Sequence, residues 1–220
     1  MSRNEPFEEH ASEYDHWFEQ NALAYESELV AVRALLPEYR RPLEIGVGSG
    51  RFAGPLGITV GVEPSRAMAE LARSRGIRVV EAVAEQLPFD DATFDLALMV
   101  TTVCFLEDIA RSFGEAHRVL TPGGHLLVGF LDRETELGRI YEEHKAGSVF
   151  YRGARFVSSN EVISEFERAG FRDLDSMETI FSSPDRMDRL SPVVPGHGNG
   201  LFVVVRGRKA QARGWDPASS

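Results

Sequence analysis

Two rhythms of apolar residues alternate along the chain. Short apolar runs at residues 43–45, 58–62, 77–80, 94–100, 125–130 and 201–205 are bounded by Gly, Pro or Asp and read as buried strands. Between them lie segments with apolar side chains three and four positions apart, the spacing of a helix with one face on a core. Leu29, Val32 and Leu35 give such a face from Leu23 until Pro37, and Met68, Leu71 and Ala72 give another behind a Ser65 N-cap and before Gly76. Residues 107–120 carry a third face through Ile109, Phe113 and Ala116, and Ser158 to Asn160 cap a fourth that runs to Ala169 and Gly170. Only residues 51–56 separate the first strand from Gly57, so the helix there must be short. Strand–helix alternation predicts an α/β domain with a mostly parallel sheet, a further strand over 171–181 and a Pro- and Gly-containing loop over 182–200.

Composition narrows the function classes. A chain of 220 residues with 43% hydrophobic content supports one substantial core. The formal net charge of −10 argues against nucleic acid as a partner, because sequence-independent phosphate binding needs clustered Lys and Arg. A single cysteine, Cys104, excludes an intrachain disulfide, and no metal-ligand spacing of Cys and His occurs. The polar start over residues 1–6 and the absence of a long apolar run predict a soluble, cytoplasmic protein with no membrane partner. No feature argues for an oligomer beyond a monomer or weak homodimer.

Candidate chemistry centres on residues 43–52. Gly46, Gly48 and Gly50 alternate at a strand-to-helix turn, where backbone can approach a ligand closely. Glu44 stands inside the preceding strand, where an ionised carboxylate is costly without a polar or cationic partner. Glu63 ends the second strand, near the spacing at which dinucleotide folds hold a ribose. Loop and acids together describe a nucleoside pocket.

The string Glu44-x-Gly46-x-Gly48-x-Gly50 with Glu63 resembles the class I, Rossmann-like S-adenosylmethionine-dependent methyltransferases. The resemblance covers residues 40–205 and extends to Arg118–Gly124, a turn of architectural role. It implies a seven-stranded, mostly parallel sheet with helices on both faces and an antiparallel last strand. It also implies S-adenosyl-L-methionine as cofactor and a small-molecule methyl acceptor. On it, Glu44 faces the methionine amino group, Glu63 accepts the ribose hydroxyls, and Arg51, Phe52 and Pro64 complete the two turns. Ala84 offers a backbone amide to the adenine and Glu85 a carboxylate, Val83 standing where the family often has aspartate. Residues 1–39 become a helical cap or lid and 40–208 the cofactor-binding domain with an insertion over 131–157; residues 209–220, whose end lacks periodicity, are expected to be a disordered tail.

Thr101 and Thr102 end the fourth strand, where they either contact ligand or close strand-end hydrogen bonds. Tyr14, Trp17, Tyr141 and Tyr151 are the remaining acceptor-side candidates, with Tyr14 and Trp17 alternatively covering an edge of the domain. Methyl transfer from a sulfonium needs alignment and water exclusion more than a base, so no catalytic residue is assigned; Tyr14, Tyr151 and His144 are the available proton acceptors. Two other readings remain: a cofactor-binding scaffold without turnover, and a nicotinamide-dependent oxidoreductase, which the glycine spacing and Glu44 disfavour.

Overall fold

The computed structural model describes residues 5–211. Its strands are β1 (Pro42–Ile45), β2 (Val60–Val62), β3 (Arg78–Val80), β4 (Phe94–Val100), β5 (Leu120–Leu131), β6 (Phe171–Thr179), β7 (Val194–Pro195) and β8 (Phe202–Lys209). They form one sheet in the order β3-β2-β1-β4-β5-β8-β6-β7. β1 to β5 pair in parallel, and β8 runs antiparallel between β5 and β6. The order reverses at β1, which opens a crevice at the carboxyl ends of β1 and β4.

Parallel strands need both faces covered. Leu43, Ala97, Met99 and Val128 pack with Phe113 and Ala116 of α5 (Ile109–Val119) and Phe166 of α7 (Ser159–Arg168). Leu96, Leu98 and Leu127, pointing the other way, pack with Val32 and Leu35 of α3 (Ala22–Leu35) and Ala69 and Ala72 of α4 (Arg66–Ser74). The period of two in the strands is what divides these two cores. Ser65 caps α4 by accepting from the Met68 amide, and Ser158 and Glu161 form a capping box on α7.

Four expectations change. The sheet has eight strands, because Val194 and Pro195 add a two-residue edge to β6; so short a strand inside a Pro- and Gly-containing loop leaves no period to detect. No helix follows Gly50: residues 51–57 make turns, with the Gly54 amide on the Gly50 carbonyl and the Ile58 amide on the Ala53 carbonyl, since Gly54-Pro55 cannot propagate a helix. β6 stops at Thr179, short of Phe181. β8 continues to Lys209, whose ammonium donates to the carbonyls of His117 and Leu120, so residue 209, expected in the tail, belongs to the sheet. Residues 212–220, the remainder of that tail, lie outside the described residues.

The amino-terminal segment divides in two. α3 belongs to the sheet sandwich, whereas α1 (Glu5–Glu9) and α2 (Ala11–Gln20) cross the crevice. The segment over 131–157 contains α6 (Glu136–His144), capped by Thr135, and closes with a bridge from Asp132 to Val157. Among the described residues no helix is long and apolar enough to cross a membrane.

Candidate functional site

Gly46 has φ of 71°, and a Cβ placed there would stand 2.4 Å from Thr102 Cγ2. Both backbone conformation and space therefore demand glycine. Gly48 has φ of 52° and open space in front of it, and its amide donates to Glu63 at 2.9 Å. The Ser65 amide donates to the other Glu63 oxygen at 2.9 Å. Glu63 is 7% exposed, and burial outweighs these two bonds to push its carboxyl up to about 7.

In front of the loop lies a cavity of about 470 Å³. Gly46, Gly48, Glu63, Pro64, Ala84, Glu85 and Thr101 line it, as do Tyr14 and Thr102 from the acceptor-side set. Glu85 accepts from the Glu107 and Asp108 amides through one oxygen, which joins the wall after β3 to the start of α5. Thr102 Oγ1 lies 3.1 Å from the Val100 carbonyl, the strand-end bond weighed for it above, while its side chain also faces the cavity.

Glu44, Gly50, Arg51 and Phe52 do not line this cavity. Glu44 lies behind the glycine turn, 2% exposed, where the Ala53 amide donates to it and Oε2 has no hydrogen-bond partner among the described residues. Burial pushes its carboxyl well above the ordinary range, and the Glu63 charge adds to the shift. Phe52 stacks edge-on with Phe18 and Tyr25.

Arg51 points to the amino-terminal helices. Its guanidinium forks onto Asp15 at 2.8 and 2.7 Å and reaches Glu19 at 2.9 Å. Arg75 donates to Asp15 at 2.7 Å and to the Ser49 carbonyl at 2.6 Å, so one carboxylate ties α2 to the glycine turn and to the end of α4. Two arginines hold the Asp15 carboxyl well below its usual range. Nothing in the sequence links Asp15 to positions 36 and 60 residues away. Asp15→Ala should cost about 2 kcal/mol of stability, since it leaves half-buried guanidinium groups short of a partner. Hydrogen exchange should then quicken across α1 and α2, and unchanged exchange would show that the clamp does not hold them.

A second, smaller cavity of about 20 Å³ lies beside the first, and Tyr14 and Thr101 line both. Trp17, Tyr141 and Tyr151 line only the smaller one. The Tyr14 hydroxyl interacts with the Thr101 side chain, and Thr101 holds φ of 51°, which is strained for a β-branched residue. Burial raises the Tyr14 and Tyr151 hydroxyls and puts Tyr141 at about 12. The exposed His144 ring bonds the Ile140 carbonyl and lines neither cavity.

Sequence reasoning missed Glu28, which is 4% exposed and lines the smaller cavity. It stands four positions from Ala24 and from Val32, on the buried face of α3, so a carboxylate breaking an apolar stripe was the available signal. No hydrogen bond or ion pair reaches it among the described residues, and burial pushes its carboxyl up to about 8.

A parallel sheet with a glycine turn after β1, an acid after β2 and a cavity at the reversal of strand order defines an α/β domain built to hold a nucleoside. A family profile described as a methyltransferase domain matches residues 43–128. The crystal structure of a SAM-dependent methyltransferase, possible histamine N-methyltransferase, from Thermotoga maritima is 50% identical with a TM-score of 0.91, covering 94% of this chain and 99% of that one. An uncharacterized protein of Methanocaldococcus jannaschii is 43% identical over 92% of this chain and 98% of its own length. The malonyl-[acyl-carrier protein] O-methyltransferase of Geobacter sulfurreducens is 30% identical over 91% of this chain and 82% of its own length. The chain belongs to the class I S-adenosylmethionine-dependent methyltransferases, and S-adenosylmethionine is its cofactor.

Proposed function

We propose that this methyltransferase seats S-adenosylmethionine in the larger cavity and methylates a small-molecule acceptor presented from the side of Tyr14 and Thr101. The observation that carries the reading is Glu63 on the wall of that cavity, held by the Gly48 and Ser65 amides beside a glycine turn with open space in front of Gly48. Behind the turn, the unpartnered Glu44 oxygen suits the ammonium of the methionine part, met through a water. Glu63 keeps lone pairs beyond its two amide bonds, and these accept the ribose hydroxyls. Gly46 and Gly48 let the backbone come close, and the Ala84 amide and Glu85 face the adenine beside Pro64. Arg51 and Phe52 act from behind, fixing the turn and the helices over it.

The cofactor supplies a methyl group on a sulfonium, already an activated leaving group, so the protein contributes alignment and exclusion of water. Asp15, Arg51 and Arg75 hold α1 and α2 across the crevice as a cap, and Phe7 and Tyr14 turn rings into the cavity beneath them.

Calorimetry of S-adenosylmethionine binding tests the reading. Glu63→Ala should weaken affinity more than about tenfold, the loss of charge-assisted hydrogen bonds to a diol. Unchanged affinity would remove Glu63 from the ribose.

A further inference from the structure

The smaller cavity has an unusual wall. Tyr14, Trp17, Tyr141 and Tyr151 surround it with aromatic surface, and neither Lys, Arg nor His is among its lining residues. The ionisable groups facing Glu28 are the hydroxyls of Tyr14 from α2, Tyr141 from α6 and Tyr151 from the following loop, each kept neutral by burial. Asp185 adds negative potential at Tyr141. Glu28 is thus a buried carboxyl with no cation, lining a chamber that has Tyr14 and Thr101 as walls in common with the larger cavity.

An ionised carboxylate there is costly unless something positive joins it. A carboxylate or phosphate acceptor would face the negative faces of the rings and would keep Glu28 from ionising. An ammonium would meet both favourably, since aromatic faces attract cations. The chamber's roughly 20 Å³ is room for a group about the size of one water, which admits an amino end and not a phenol ring. We propose that this chamber receives the amine end of the methyl acceptor, with Glu28 as the group that pairs with the ammonium and takes its proton.

This rests on S-adenosylmethionine occupying the larger cavity. The ammonium N–H bond breaks and its proton goes to the Glu28 carboxylate. The freed nitrogen lone pair forms the N–C bond as the C–S electron pair leaves with sulfur, giving a methylated ammonium, a neutral thioether and a neutral Glu28 acid. Glu28 is reset by releasing that proton to solvent.

The test uses the whole protein with ethylamine, phenethylamine and histamine set against propionate, phenylpropionate and phenol, and reads S-adenosylhomocysteine release. The amines should turn over at least about tenfold faster than carboxylates of the same skeleton, and Glu28→Gln should lower kcat/KM for them about thirtyfold or more while S-adenosylhomocysteine affinity stays within about twofold. Independently of turnover, calorimetry of phenethylamine binding to the wild-type S-adenosylhomocysteine complex at pH 7, run in two buffers of different ionisation enthalpy, should show a proton released, because Glu28 enters the encounter mostly protonated. Binding of amine without proton release, full amine turnover by Glu28→Gln, or methylation of phenol or carboxylates in place of amines would each overturn the proposal. Failure of the wild type to bind S-adenosylhomocysteine would overturn the cofactor reading beneath it, an outcome the same calorimetry separates from the others.

Discussion

Replacing Gly46 by alanine should destabilise the protein by roughly 2–4 kcal/mol and abolish measurable cofactor binding, the sum of a left-handed backbone that alanine resists and a clash in a packed turn. The new Cβ would lie 2.4 Å from Thr102 Cγ2 and 2.5 Å from Thr102 Oγ1, with φ fixed at 71°. Neither partner can move freely. The Gly46 amide is held by the Val62 carbonyl at 2.8 Å, and Thr102 is tied to the carbonyls at the ends of β1 and β4. The two costs separate in a double-mutant cycle. Thr102→Ala removes the two closest atoms and leaves only the 3.0 Å contact to Cβ, so Gly46→Ala in that background should recover about 1 kcal/mol while the backbone strain persists. Urea denaturation of the four proteins measures this, and strict additivity would show that Thr102 does not enforce the glycine.

The second large effect is a fall in stability of the ligand-free protein as pH rises from 5 to 8. Glu28 and Glu63 have folded-state carboxyls raised to about 8 and about 7, and burial also raises Glu44 well above the ordinary range. A raised carboxyl means that the folded state keeps a proton which the unfolded chain gives up near pH 4.5. Stability from these groups is therefore whole below that pH and is lost as pH climbs through the folded values. Glu28 alone accounts for a change on the order of 4 kcal/mol, large beside the usual 5–15 kcal/mol of a domain. His117 and His125, lowered by burial, act the other way, but only below about 6.5, where the unfolded chain still protonates them. The interval from pH 6.5 to 8 thus isolates the carboxyls. Urea midpoints should drop across it in the wild type and flatten in Glu28→Gln, which should also be the more stable protein at pH 8. Equal slopes for the two would contradict a protonated, unpaired Glu28.

How the two sets of candidate residues fared follows from the range of the interactions that position them. Gly46, Gly48, Glu63, Pro64, Ala84 and Thr101 all lie at or just beyond strand ends, and a strand end in a parallel sheet is already a position at the crevice, so local pattern was enough to bring them to one cavity. Arg51 and Phe52 belong to the same stretch, yet they turn away, because Asp15 and Phe18 from a helix more than thirty residues earlier give the guanidinium and the ring better partners. Trp17 was expected on the acceptor side from the family resemblance of the amino-terminal helices, and Tyr141 and Tyr151 from their place in the segment beyond β5. They do share a wall, but on the smaller chamber, and Glu28 beside them passed unnoticed in a helix read only for its apolar stripe.

What the sequence determined by itself was periodic or local: strands two residues to the repeat, helices with one apolar face, caps at Ser65 and Ser158, and glycines where a turn needs positive φ. Such features depend on neighbours within a few positions. The two-residue β7, the clamp of Asp15 on two arginines and the chamber around Glu28 were decided only by tertiary structure. Each joins groups from elements far apart in the chain, and the burial that sets the Glu28 and Glu44 carboxyls exists only once those elements have packed.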